Sequence, residues 1–216
     1  MPTKNSEKRR LRCEALLAHD AAYPAFGTAL AGMDEAGRGP LLGPVVAACV
    51  VMPQKPAILW VDDSKRLSPA RREAVFAEIK ACALFIGVGE ASAEEIDRIH
   101  ILEATKLAMR RASAGAPATL CLVDAVRGLQ VPFATEPIIH GDAVSYSIAA
   151  ASIVAKVTRD RQMLLLAERY PVYGLERNMG YGTAEHIEAI RRCGPCPEHR
   201  RSFIGKWIAE TGEARL

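Results

Sequence analysis

Apolar and polar positions along this chain alternate between short, strand-like apolar runs and longer segments with helical spacing. Residues 5–20 form a charged segment with amphipathic spacing that predicts a short helix, and Tyr23 to Gly27 a turn. Ala29 to Met33 and Val45 to Met52 are apolar, β-branched-containing runs on either side of a stretch rich in Gly and Pro, and predict two adjacent strands. Ser68 followed by Pro69 marks a helix start, with the hydroxyl as N-cap and the Pro at the first helical position, and this helix runs to about Ala81. Leu84 to Val88 predicts a third strand. Ser92 and Glu95 have the spacing of a capping box, opening a helix that sets Ile96, Ile99, Leu102, Thr105 and Met109 on roughly one face.

Pro117 ends that helix, and Thr119 to Val123 is an apolar strand with Asp124 at its end. A short run, Pro137 to Ile139, leads to Asp142, just before a long helix from about Ser145 to Arg169. Its first half, SIAAASIVA, is small and apolar nearly all round, which implies close packing under the sheet. A further helix spans about Thr183 to Arg192. Strands first, then alternating helices and strands, imply a mixed sheet covered on both faces in a single α/β domain.

Candidate chemistry is densest in LAGMDEAGRGPLLGPVVAA, Leu30 to Ala48. Two adjacent acids, Asp34 and Glu35, end an apolar run and are followed at once by Gly37, Arg38 and Gly39. Successive side chains of a strand point to opposite faces, so one acid of the pair is forced inward. A buried carboxylate needs a cation, either an Arg or Lys partner or a divalent metal ion with a preference for oxygen. The glycines let the backbone approach a ligand closely. The same tetrapeptide, DEAG, also fits the solvated end of a strand entering a loop.

The extended motif decides between these. DEAGRGPLLGPVVAA (34–48) resembles the signature of bacterial type 2 ribonucleases H, the ribonuclease HII family. The resemblance continues, in the family's order, through DDSKRLSPARREAVFAEI (62–79), EEIDRIHILEATKLAMRRA (94–112), LVDAVRG (122–128), GDAVSYSIAAASIVAKVTRD (141–160), GYGTAEH (180–186) and GPCPEHRRSF (194–203). It implies a ribonuclease H-like α/β fold, with a mixed central sheet flanked by helices on both faces and a helical C-terminal segment. Residues 28–216 would form the catalytic domain, and residues 1–27 a helical extension.

The resemblance assigns Asp34, Glu35, Asp124 and Asp142 as catalytic metal ligands for two Mg²⁺ or Mn²⁺ ions. Carboxylates gathered from separate elements repel one another unless cations neutralise them. The implied reaction is endonucleolytic hydrolysis of the RNA strand of RNA–DNA hybrids and at single ribonucleotides in duplex DNA, leaving 3′-hydroxyl and 5′-phosphate ends. Substrate contacts carried over from the family are Gly37, Arg38 and Gly39 against the region of the 2′-hydroxyl, and Tyr181 against the sugar. Lys65 and Lys156 serve as phosphate contacts that position without reading sequence. Asp160 also lies in a matching block, where an ion pair with Arg159 or Arg161 competes with an auxiliary role.

Three positions depart from the family pattern. His140 and Met179 stand where Lys is common, and His100 where Asn is usual, so fixed positive charge is reduced near the site. The related type 3 enzymes usually carry a sizeable N-terminal substrate-binding extension, for which 27 residues are too few.

Composition adds little against this. A chain of 216 residues, 50% hydrophobic and 25% charged, can bury one proper core, and its net charge of +3 permits a nucleic-acid partner without requiring one. Six Lys or Arg against three Glu between Arg177 and Lys206 make that region the better phosphate-facing surface. No apolar run approaches the roughly 18 residues of a membrane span, and the first 20 residues are no secretory signal. The expectation is a cytoplasmic monomer, with Cys13, Cys49, Cys82, Cys121, Cys193 and Cys196 reduced. Cys193-Gly-Pro-Cys196 copies a thiol-redox tetrapeptide, and His199 nearby suggests half a zinc site. The redox motif needs a strand before it rather than a helix, and zinc lacks an evident fourth ligand.

Overall fold

The structure, a computed structural model, describes residues 4–208. Its centre is a five-stranded sheet of β1 (Leu30–Ala36), β2 (Val45–Val51), β3 (Phe85–Ala91), β4 (Leu120–Asp124) and β5 (Ala134–Ile138), in the order β3-β2-β1-β4-β5. β1, β2 and β3 pair antiparallel, whereas β4 runs parallel to β1 and β5 parallel to β4. The parallel half therefore ends β1 and β4 side by side at the same end of the sheet, with Met33 opposite Val123.

Among the described residues seven helices surround the sheet: α1 (Lys4–Asp20), α2 (Pro69–Cys82), α3 (Ala93–Ala112), α4 (Tyr146–Arg169), the single turn α5 (Leu175–Asn178), α6 (Ala184–Cys193) and α7 (Arg201–Ile208). Alternation along β2 divides the core. Ala48, Val50 and Met52 face α1, α2 and α4, while Val45, Ala47, Cys49 and Val51 face α3. A third apolar cluster joins Leu41, Leu42 and Met163 to α6 and α7. The ribonuclease H-like α/β architecture and its helical C-terminal segment are thus present. Among the described residues no helix is long and apolar enough to cross a membrane.

The small residues of α4 account for its place. A Cβ on Gly32 of β1 would lie only 2.0 Å from the Ser147 backbone, so strand and helix touch main chain to main chain. The start of α4 is doubly capped, since Ser145 accepts from the Ile148 amide and the buried Asp20 from the Ser147 amide. Asp20 belongs to the end of α1, whose Cys13 and Leu16 are buried in the same cluster as α4.

Ser68 and the Ser92–Glu95 capping box open α2 and α3 as the spacing predicts. Two predictions need correction. In α3, His100 adopts φ 65°, ψ 157°, which breaks the helical register, so Ile96, Thr105 and Met109 are buried while Leu102 is exposed. β3 extends to Ala91, past the apolar run. Gly87 and Gly89 carry no side chain to show periodicity, yet a Cβ at either would meet α3 backbone within 2.3 Å.

Candidate active site

The parallel pairing of β1 and β4 brings Asp34 and Asp124 together at the C-terminal ends of two interior strands. Asp142 reaches them from the 3₁₀ turn Gly141–Ala143 that precedes α4. One carboxylate oxygen from each of these three residues lies within 4.8 Å of the others. Asp124 and Asp142 are also tied locally, because the Gly141 amide donates to Asp124 Oδ1 at 2.7 Å. Glu35 lies outside this triad. Its Oε1 faces Arg38 at 3.4 Å, and its Oε2 is buried with no partner among the described residues.

These acids are held under tension. Burial, then the charges of Glu35 and Asp124, push the Asp34 carboxyl well above its ordinary range, although hydrogen bonds from Ser152 and the Glu35 amide oppose this. Burial also raises Glu35 against the pull of Arg38, and burial with Asp63 and Asp124 raises Asp142 against Lys65. An all-oxygen donor set, under-compensated and with a buried carboxylate oxygen left over, fits a hard divalent cation and not a thiophilic one.

Asp34 and Glu35 open into a cleft of about 470 Å³ that is also lined by Gly37, Arg38, Gly39, Lys65, Lys156 and Tyr181. Every substrate-binding residue expected from the sequence therefore borders one cavity. Tyr181 is 47% exposed, and its ring lies 3.6 Å from where a Gly39 Cβ would stand. Lys65 Nζ approaches Asp142 Oδ2 at 3.8 Å. Lys156 pairs with Asp160 at 2.6 Å, and Asp160 also takes Arg72 at 3.2 Å. The expected partners of Asp160 were Arg159 or Arg161. Instead Arg161 pairs with Glu73, and Arg159 turns inward beneath the glycine turn.

What holds that turn is not visible in the residue order. Arg200 is fully buried and donates to the carbonyls of Gly37 (2.6 Å), Arg38 (3.0 Å), Pro40 (2.8 Å) and Gly43 (2.9 Å). Arg159, also buried, donates to those of Leu42, Pro44 and Met179. Gly37 has φ +96°, and a Cβ there would strike the Arg159 side chain at 2.1 Å, so the first glycine of the turn is required on both counts. Burial, then Arg159, lowers the Arg200 guanidinium to about 9. The sequence held one signal for this, a charged HRRSF segment near the apolar positions of α7. Ser64 and Ser152, which also line the cleft, gave none.

A hydrogen-bonded chain fixes the Tyr181 segment. A carbonyl only accepts, so His186 Nδ1 carries the proton donated to Tyr181 O at 2.9 Å. His186 Nε2 then accepts from His199 Nε2 at 3.1 Å, and His199 Nδ1 accepts from the Cys196 amide at 3.0 Å. Burial, then His186, lowers His199 to about 3, and burial lowers His186. Cys193, the last residue of α6, is an exposed free thiol, and Cys196, beyond the helix, is a buried one. The three departures from the family pattern, His100, His140 and Met179, all adopt positive φ, which Asn, Asp and His enter more readily than other side chains.

Sheet order, flanking helices and the position of the acids at the ends of the parallel strands together define a protein of the ribonuclease H-like class. The ribonuclease HII family model matches residues 31–206. The chain is 54% identical to the ribonuclease HII of Geobacillus kaustophilus over 195 residues, covering 89% of this chain and 75% of that one. It is 56% identical to that of Geobacillus thermodenitrificans over 207 residues, 93% and 78% of the two chains. Among solved structures, the ribonuclease H2 of Pyrococcus horikoshii superposes with a TM-score of 0.69 at 28% identity, covering 86% of this chain and 99% of that one. The chain belongs to the ribonuclease HII family and is a ribonuclease H.

Proposed function

We propose that this enzyme hydrolyses the RNA strand of RNA–DNA hybrids and cuts at single ribonucleotides embedded in duplex DNA, leaving 3′-hydroxyl and 5′-phosphate ends. The observation that carries the reading is the triad of Asp34, Asp124 and Asp142 beside the unpartnered Glu35 oxygen. In this reading the four carboxylates hold two Mg²⁺ or Mn²⁺ ions. When bound, such ions lower the pKa of an attacking water and offset charge on the leaving oxygen.

The chain's own groups do the rest. Gly37 and Gly39 admit the sugar–phosphate backbone to van der Waals distance, and Arg200 keeps the turn's carbonyls directed inward. The Tyr181 ring lies against the ribose, with its hydroxyl available to the 2′-hydroxyl. Arg38 acts with the turn at the 2′-hydroxyl region, and Lys65 and Lys156 place phosphates. Residues 28–216 act as the catalytic domain and residues 1–27 as a helical extension, whose described helix packs through Cys13 and Leu16; residues 1–3 and 209–216 lie outside the described residues.

The test is incubation with an end-labelled duplex containing one ribonucleotide, with Mg²⁺, Mn²⁺ or chelator. The label reads both the position of the cut and the chemistry of the ends. Metal-dependent cleavage at the ribonucleotide, lost in Asp34→Asn, is expected. Full activity in that variant would refute the site.

A further inference from the structure

Beside the catalytic cleft lies a second one, of about 220 Å³, that the chemistry above leaves unused. Its lining is four cations, Lys8, Arg9, Arg12 and Arg66, against one carboxylate, Asp62. Asp62 is buried and acts as an anchor. Its Oδ2 accepts from Arg9 at 3.0 Å, its Oδ1 from Arg12 at 2.7 and 3.0 Å, and Arg66 stands 3.8 Å away. One anion thus gathers three guanidiniums and leaves the group strongly positive. Arg9 is also stacked on the Trp60 ring at 4.4 Å, which limits its freedom before any ligand arrives. Fixed, partly exposed guanidinium groups of this kind match the geometry of phosphate oxygens.

Two links, one covalent and one hydrogen-bonded, join this cleft to the catalytic one. Arg66 follows Lys65 in the same 3₁₀ turn, and Lys65 faces Asp142 at 3.8 Å. Arg12 donates to the carbonyl of Ala143, the residue after Asp142, at 2.8 Å. Lys65 lines the first cleft and Arg66 the second, so one turn borders both. We infer that the α1 cleft is a second binding site for the phosphodiester backbone, holding the substrate duplex beside the segment being cut. This rests on the nucleic-acid reading of the catalytic cleft, and adds to it a surface supplied by the N-terminal helix.

The test is a Lys8→Gln, Arg66→Gln double variant, which spares the Arg9 and Arg12 pairs to Asp62. Its charge-matched control is Lys106→Gln, Arg110→Gln on α3, across the sheet. Binding of a ribonucleotide-containing duplex is followed by fluorescence anisotropy in chelator, over a range of salt, and cleavage by steady-state kinetics. The cleft variant is expected to bind about tenfold more weakly, with the slope of log K against log salt shallower by about 2, one for each phosphate no longer neutralised. Its kcat at saturating substrate should equal that of the parent, and the control should bind as the parent does. Unchanged binding, an equal loss in both variants, or a fall in kcat without weaker binding would overturn the inference. Because binding is read without metal, a protein that bound the duplex through this cleft yet never cut it would sink the cleavage reading alone.

Discussion

Two buried charge clusters of opposite sign adjoin the glycine turn of residues 37–44, and they are satisfied to different degrees. Arg159 and Arg200 have between them seven backbone carbonyls as acceptors, so their charges are buried but hydrogen-bonded. Asp34, Glu35, Asp124 and Asp142 receive the amides of Glu35, Gly141 and Ala143, the Ser152 hydroxyl, one loose Arg and one loose Lys, and Glu35 keeps an orphaned oxygen. The arginines are part of the folded structure and need nothing further. The acids repel one another in a way that a bound cation would relieve, which supports the proposal that they are the working part.

The largest test of that contrast is Asp34→Asn. Cleavage should fall by about 10³-fold or more, on the order of 4 kcal/mol of transition-state stabilisation. Without metal the variant should nevertheless melt higher than the parent, because a repelling charge has gone. A lower melting temperature would mean that the acids are compensated in the free protein.

Arg200→Met should do the reverse. Four carbonyls lose their donor, so unfolding free energy should drop by about 3 kcal/mol in a denaturant titration. The glycine turn should loosen as well, raising KM. A variant as stable as the parent would show that solvent replaces the guanidinium.

The histidine pair gives a test by pH. The folded-state pKa of His199, about 3, lies below its ordinary value. Its contribution to stability is therefore complete above about pH 6.5 and is lost as pH falls from there towards 3, because only the unfolded chain accepts the proton readily. The raised carboxyls of the site work in the opposite sense, so the two are separated by comparison. His199→Gln should show an acid loss smaller than the parent's by about 3 kcal/mol between about pH 7 and pH 4, and parallel curves would remove His199 as the cause.

The smallest effect belongs to Tyr181→Ala. Cleavage at a lone ribonucleotide should drop by about tenfold, while duplex binding persists through the phosphate contacts. Equal loss of binding and cleavage would place the ring in general affinity and not at the sugar.

Much of this was legible from residue order. Capping residues, apolar runs ending in acids and the all-small start of α4 are local signals, because cap geometry and side-chain periodicity depend on near neighbours along the chain. The motif blocks likewise named Asp34, Glu35, Asp124 and Asp142. They did not reveal that Glu35 stands apart from the other three, since that depends on which face of β1 each carboxylate leaves by and what lies opposite.

Other features belonged to the tertiary structure alone. The kink at His100, the inward turn of Arg159, the four-carbonyl grip of Arg200 on a turn some 160 positions away and the cationic cleft of α1 all rest on residues remote from one another in the chain. By itself the sequence determined the elements and the family and singled out the acids, because those are written in local pattern. Only the folded chain decided which charges are compensated and which are left wanting, because compensation depends on distances and burial that no linear spacing contains.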